Sequence, residues 1–310
     1  MMLPETTSTA GDTTLDPEKS WTRRRALKAL SVWGGAPLLA GALEASGRQT
    51  AWGATDAAYR IEFSGSLADL VGDLEHTERG DPLRESNLHH SQWYSAHTRR
   101  RFHTWGPEPR QYAPLANLGH SPVEWQRERV IATAARFLGY GYQYHHIPDW
   151  DPPSSWPWKE TCVGHNGKGV DCSNLTSFVF NQGFGIRISS AIHLQAERER
   201  ALEAPFETIA IRSIALPKQY ERRIETLQTG DLVYIRGREG GPISHVVIWV
   251  GSVGRAQSGV PLLIDSHGSG VVDDLGRPIP CGVRLRPFRQ DSWYNRCASH
   301  AHRILGNSTQ

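Results

Sequence analysis

Gly169-Val170-Asp171-Cys172-Ser173-Asn174-Leu175 places a cysteine at the first turn of a helix. Asp171 is a good N-cap, because its carboxylate can accept hydrogen bonds from the free N–H groups of that turn. Leu175, Phe178 and Val179 follow at i, i+3 and i+4 and make one face apolar. Gly183 is then expected to end the helix. The attacking species of a cysteine is the thiolate, and a helix N-terminus favours that charge. Cys172 is therefore the candidate nucleophile. The competing reading is a small buried apolar residue, the usual fate of a lone cysteine.

Working outward, the next helix start is Ser121-Pro122-Val123-Glu124. Ser121 reads as the N-cap, Pro122 as the first helical residue and Glu124 as the partner in a capping box. Val123, Val130, Ile131, Ala134, Phe137 and Leu138 keep helical spacing up to Gly139. After Tyr140-Gly141-Tyr142 comes a long loop with Pro148, Pro152, Pro153 and Pro157 among Trp150, Trp156 and Trp158. Its tryptophans favour an ordered wall of a cleft. Downstream of the cysteine helix, a charged helix is expected over Ala191 to Leu202. Strands are then expected at Leu232–Ile235, His245–Gly251, Pro261–Ser266 and Val283–Phe288, separated by glycine turns. A helical half followed by antiparallel strands is an α+β layout.

A cysteine hydrolase needs a histidine to exchange the proton and a polar group to orient that histidine. Ile243-Ser244-His245-Val246-Val247-Ile248-Trp249-Val250 supplies the histidine. His245, Val247 and Trp249 share a strand face, and that alternation is expected to aim the imidazole at the helix start. Leu262-Leu263-Ile264-Asp265-Ser266-His267 offers two orienting groups, Asp265 and His267, on one face. The Cys172 N–H could donate to an oxyanion. His145, His146, Asp149 and Asp151 are metal-ligand types, but prolines interrupt any regular face and no familiar spacing fits, so no metal is expected.

Leu138-Gly139-Tyr140-Gly141-Tyr142, Asp171-Cys172-Ser173, Gly230-Asp231-Leu232-Val233 and Ser244-His245-Val246 occur in that order. Each is weak alone. As an ordered set they resemble the NlpC-like cell-wall endopeptidases, over Ser121 to Arg303. The resemblance implies a papain-like fold, with the catalytic Cys at a helix start packed on an antiparallel sheet that carries the catalytic His. It implies hydrolysis of peptide bonds in peptidoglycan stems or muropeptides, commonly the bond after D-glutamate, with no cofactor. It further implies that Tyr142 lines the site near the oxyanion, and that Asp171 and Ser173 hold the substrate's free amine. The chain departs from the pattern at Asn174, where glycine is common. It departs again at Tyr144-His145-His146 and the insertion that follows, and at Asp265, where the family more often has His. Two other roles fit the same scaffold: an amidase or acyltransferase, and a catalytically idle wall-binding protein.

The beginning of the chain says where such chemistry would operate. Thr22-Arg23-Arg24-Arg25-Ala26-Leu27-Lys28 precedes an apolar run to Leu43, a twin-arginine export pattern. Ala45-Ser46-Gly47 and Ala51-Trp52-Gly53 are both suitable cleavage sites. An uncleaved anchor is the competing reading, since the run approaches the ~18 residues that span a bilayer. Residues 1–54 are thus read as an export signal, 55–120 as an N-terminal extension and 121–305 as the peptidase domain. The expected location is the periplasm or cell envelope, without stable membrane insertion once the signal is removed. The 310 residues are 38% hydrophobic and 21% charged, ordinary for a globular chain. A net charge of +2 gives no case for nucleic acid. Arg99-Arg100-Arg101 reads as a solvated face. Four cysteines are too few for a disulfide scaffold.

Overall fold

The computed structural model describes residues 50–51, 59–75, 88–92, 95–102, 111–142, 170–197, 201–204, 207–268 and 270–306. The twin-arginine segment, the tryptophan loop with His145, His146, Asp149 and Asp151, and Cys162 lie outside them. The helices are α1 (Leu67–Val71), α2 (Ala96–Phe102), α3 (Val123–Ala135), α4 (Cys172–Phe184), α5 (Ile192–Gln195), α6 (Tyr220–Thr226) and α7 (Trp293–Arg296). The strands are β1 (Thr50–Ala51), β2 (Tyr59–Glu62), β3 (Ala201–Ala204), β4 (Glu207–Ala210), β5 (Arg212–Ala215) and β6 (Leu232–Arg236). They continue with β7 (Ile243–Trp249), β8 (Gly254–Ala256), β9 (Leu262–His267), β10 (Gly282–Pro287) and β11 (Ala298–Arg303). Among the described residues, no helix is long and apolar enough to cross a membrane.

The fold is a mixture of helices and antiparallel sheet. Six strands pair in the order β10-β9-β7-β6-β11-β5, every described pairing antiparallel. β7 is apolar along most of its length because both faces are covered. Val246 and Ile248 join Ile131, Ala134, Leu175, Val179 and Ile264 in the core beneath α3 and α4. Val247 and Trp249 point the other way, into a second core with Val233, Leu263, Phe288 and Tyr294. The two-residue period of the strand thus feeds two separate cores.

Residues 59–75 enter the first core directly. Tyr59 and Ile61 of β2 face inward and Arg60 outward, while β2 pairs with β8. Phe63, Leu70, Val71 and Leu74 are buried in the same cluster as Leu175. Arg129 of α3 joins these parts: both its terminal nitrogens meet Asp73 at 2.7 Å, and its Nε donates to the Gly183 carbonyl at 2.9 Å. It also donates to the Leu70 carbonyl. The motif residue Asp231 is structural as well. It accepts from Nε and Nη2 of Arg303 on β11, at 2.9 and 2.7 Å.

Local rules failed at several ends. Gly183 does not cap α4. The helix runs on to Phe184, and Gly185, at φ 69°, makes the left-handed turn. Gly183 is needed instead for a close approach, since a Cβ there would lie 3.0 Å from Thr133 Oγ1 of α3. Ser121 does not cap α3 either. The cap position is Pro122, and Ser121 Oγ donates back to the Asn117 carbonyl. Gln126 from the second turn holds the carbonyls of Leu118 and Ser121, each at 2.9 Å, so the chain entry is fixed without a capping box. The helix expected over Ala191 to Leu202 is only the single turn α5, and Ala201–Ala204 is a strand paired with Glu207–Ala210.

Candidate active site

Three neighbours fix the helix start that carries Cys172. Asp171 is the N-cap, and its Oδ1 accepts from the Asn174 N–H at 2.9 Å. The Gly141 carbonyl accepts from the Val170 N–H at 3.0 Å, and Ser266 Oγ of β9 donates to the Val170 carbonyl at 2.5 Å. Tyr140-Gly141-Tyr142 is itself docked on β10, with Gly139 N–H donating to the Val283 carbonyl and Val283 N–H to the Tyr140 carbonyl. This close approach requires glycine at position 282, where φ is 98° and a Cβ would sit 2.0 Å from the Tyr140 oxygen. Tyr142 is half-buried beside the segment that leads into Cys172.

His245, on β7, is hydrogen-bonded through Nε2 to Asp265 Oδ2 at 2.7 Å. Its ring also interacts with the Cys172 side chain. Because Nε2 is occupied, Nδ1 is the nitrogen left for the sulfur. The face expectation needs correcting here. The helix-side face of β7 is Val246 and Ile248, whereas His245 shares the opposite face with Val247 and Trp249. The imidazole meets the helix start at the beginning of the strand, packed against Trp293 and Tyr294 with centroids 5.5 and 6.1 Å away.

Of the two orienting candidates, Asp265 holds the imidazole. His267 stacks edge-on against His245 at 5.0 Å, and its Nδ1–H donates to the Gly268 carbonyl at 3.1 Å. Burial, and then the neighbouring His245 charge, lower the His267 pKa, so that ring is neutral at pH 7. Asp265 is completely buried, which alone would raise its pKa. The Arg286 charge and the His245 hydrogen bond and charge overcome that and hold the carboxylate well below its usual range. His245 shows the converse. Burial opposes the imidazolium, but the Cys172 charge and the Asp265 hydrogen bond and charge outweigh it, and the pKa is pushed up to about 10.

Asp171 differs from Asp265 because, among the described residues, no cation counters its burial. Burial raises its pKa to about 6, against the bonds from Asn174 N–H and from Ser173 Oγ, the latter at 3.2 Å. It is a carboxylate at neutral pH and a carboxylic acid a little below. The structure therefore brings the Asp265 carboxylate onto the His245 imidazole, which also interacts with Cys172, sets His267 against its flank, and turns Ser173 back onto Asp171.

Two residues of the site were missed from sequence. Arg286 of β10 donates through Nε to Asp265 Oδ1 at 2.5 Å, and Tyr294 of α7 donates to Oδ2 at 2.8 Å. The available signal was the pair Arg284 and Arg286, alternating with Val283 and Leu285 in a strand-like run. A fully buried arginine rarely lacks a partner.

Residues 161–274 match the model of the NlpC/P60 family, a span that contains Cys172, His245, Asp265 and His267. The resemblance read from the ordered motifs is to that family. Among solved structures, the chain is similar to an NlpC/P60 family protein from Bacillus cereus, at 18% identity and a TM-score of 0.32, over 65% of this chain and 44% of that one. NlpC2 from Trichomonas vaginalis is similar at 15% identity and a TM-score of 0.31, over 58% of this chain and 46% of that one. NlpC1 from the same organism matches at 15% and 0.30, over 58% and 44%. This chain spans less than half the length of each of these structures. No curated protein matches it.

Proposed function

We propose that this chain is an exported cysteine endopeptidase of papain-like fold that hydrolyses peptide bonds in peptidoglycan stem peptides or muropeptides. The observation that carries the reading is the relay from Cys172 through His245 to a buried, charged Asp265, inside the span that matches the NlpC/P60 model. A buried ion pair of this kind is costly for stability and is characteristic of sites that move protons.

In the cycle, Cys172 attacks the scissile carbonyl carbon as a thiolate. His245, whose raised pKa favours the imidazolium through neutral pH, holds the proton that the leaving amine needs. His245 gives that proton to the leaving amine, the C–N bond breaks, and a thioester remains. Water, deprotonated by the now neutral His245, then releases the acid and regenerates the thiolate–imidazolium pair. Asp265 accepts from Nε2 throughout, which keeps Nδ1 directed at the sulfur. The Cys172 N–H at the helix start, with Tyr142 beside it, stabilises the oxyanion. Asp171, charged above pH 6, is the counter-charge for a free substrate amine, with Ser173 next to it. No step uses a cofactor. Export by the twin-arginine route rests on Thr22 to Lys28 and the apolar run behind it, and places the enzyme in the periplasm or cell envelope.

Mass analysis of defined muropeptides after incubation with the protein tests this reading. A new amine and carboxyl between two amino acids, absent with Cys172→Ala, is the expected result. Cleavage at the sugar–peptide amide, or acyl transfer to a second peptide, would make the protein an amidase or acyltransferase. Tight binding without any product would make it a wall-binding protein.

A further inference from the structure

Asp265 is surrounded by donors from separate elements. A carboxylate offers about four lone-pair positions. His245 Nε2 and Tyr294 OH meet Oδ2 at 2.7 and 2.8 Å, and Arg286 Nε meets Oδ1 at 2.5 Å. Arg286 is wholly buried, and its Nη2 is held by the Gly282 carbonyl at 3.0 Å and the Pro280 carbonyl at 3.3 Å. β9 and β10 pair without a register shift, with Asp265 opposite Arg284. Arg286, two residues beyond Arg284, is thus the diagonal neighbour on the same face, within reach of a long side chain. Tyr294 arrives on α7, whose start is fixed by Ser292 accepting from the Asn295 N–H.

A fully buried arginine–carboxylate pair usually adds little stability compared with apolar residues of the same volume. Its presence therefore asks for another reason, and the third partner of the carboxylate supplies one. We propose that Arg286 and Tyr294 are positioning residues that clamp the Asp265 carboxylate, so that it remains an acceptor and fixes His245 with Nδ1 toward Cys172. This deepens the peptidase reading and rests on it. Neither residue touches the reacting atoms, and both lie beyond the 161–274 span that matches the family model.

The charged and titratable groups facing the relay come from every packed element: Cys172 on α4, His245 on β7, Asp265 and His267 on β9, Arg286 on β10 and Tyr294 on α7. Without Arg286, burial of Asp265 is opposed only by the His245 hydrogen bond and charge and by His267, so the carboxylate takes up a proton more easily and stops accepting from the imidazole when it does. The acid limit of activity, where Asp265 takes up a proton, then moves toward neutrality.

The test uses the full chain and the variants Arg286→Met and Tyr294→Phe, the second removing a single hydroxyl. Two profiles are measured against pH: kcat on a defined muropeptide, and the rate of Cys172 alkylation by iodoacetamide with Cys281 and Cys297 as internal references. For Arg286→Met, kcat falls about 10- to 100-fold, and the acid limb of both profiles moves toward neutrality by about a pH unit or more. Tyr294→Phe moves both in the same direction by less. Wild-type kcat and wild-type profiles in both folded variants overturn the proposal. If Arg286→Met does not fold, Tyr294→Phe decides alone: a displaced limb supports the clamp and an unmoved one overturns it. A wild-type protein that neither cleaves muropeptide nor labels selectively at Cys172 overturns the peptidase reading and this inference with it. Selective labelling with unmoved variants overturns only the inference.

Discussion

Replacing Asp265 by Asn changes one atom and has a calculable effect. The carboxylate accepts from three donors. An amide has one acceptor oxygen and one donor NH2 group, so one side must clash. The guanidinium of Arg286 loses its counter-charge in either orientation, but if the NH2 group faces it the buried Nε–H also loses its acceptor and meets a second donor, at a further cost of about 1–3 kcal/mol. The opposite flip is therefore preferred, with the amide oxygen on Arg286 and the NH2 group on His245 Nε2. His245 must then accept at Nε2 and carry its proton on Nδ1, toward Cys172. A neutral ring in that tautomer cannot take up the thiol proton. In the serine-protease triad the equivalent change costs about 10⁴ in kcat, or about 5 kcal/mol at 1.36 kcal/mol per decade. For Asp265→Asn, kcat/KM on a defined stem peptide at pH 7 is expected to fall about 10³- to 10⁴-fold, with circular dichroism unchanged. The assay is peptide hydrolysis followed by mass spectrometry, with a thermal melt as the control for folding. A folded variant within a few-fold of wild type would refute the argument, because the carboxylate would then have no part in setting the tautomer.

Asp171→Asn should keep the helix cap, since Asn caps as well as Asp, but remove the charge that titrates at about pH 6. KM for a substrate with a free amine should rise at pH 7, and the wild-type rise in KM below pH 6 should disappear; titration of KM against pH checks both. Stability should also follow pH through the relay. The His245 pKa is raised in the folded state, so its contribution is complete below about 6.5, its unfolded value, and is lost as pH climbs through about 10. Asp265 is depressed, so its contribution is present above about 3.9 and is lost as pH falls below that. Calorimetry across pH 5 to 10 should show the alkaline loss in wild type and a flatter curve in His245→Gln. Phe63 is fully buried in the core that contains Leu175, so Phe63→Ala should cost about 3–5 kcal/mol and lower one cooperative transition. A separate melting step for residues 59–75, seen by hydrogen exchange, would contradict that packing.

The sequence disclosed what short-range rules can carry. Asp171 before Cys172 and an apolar i, i+3, i+4 stripe were enough to start α4, and the period-two strands around His245 and Asp265 were found within two residues of their ends. Chain ends were less legible because distant partners decide them. Gly183 reads as a stop, but the side chain of Thr133 on α3 needs its missing Cβ. Ser121 reads as a cap, but Gln126 closes the turn instead. The segment after Gln195 has helical composition, yet its backbone finds strand partners at Glu207–Ala210. The choice between Asp265 and His267 was beyond sequence, since both lie on one face of β9. Arg286 and Tyr294, which donate to the Asp265 carboxylate, follow it by 21 and 29 residues and reach it only through pairing and packing.

The most direct measurement is a trapped intermediate. A stem peptide carrying an activated ester at the scissile carbonyl is mixed with the protein, quenched in acid within the first turnover, and mapped by peptide mass spectrometry. Acyl mass confined to the peptide containing Cys172, accumulating in His245→Gln and absent in Cys172→Ser at thioester mass, is the predicted outcome. Acylation of some other residue, or turnover that continues unchanged without the Cys172 sulfur, would contradict it.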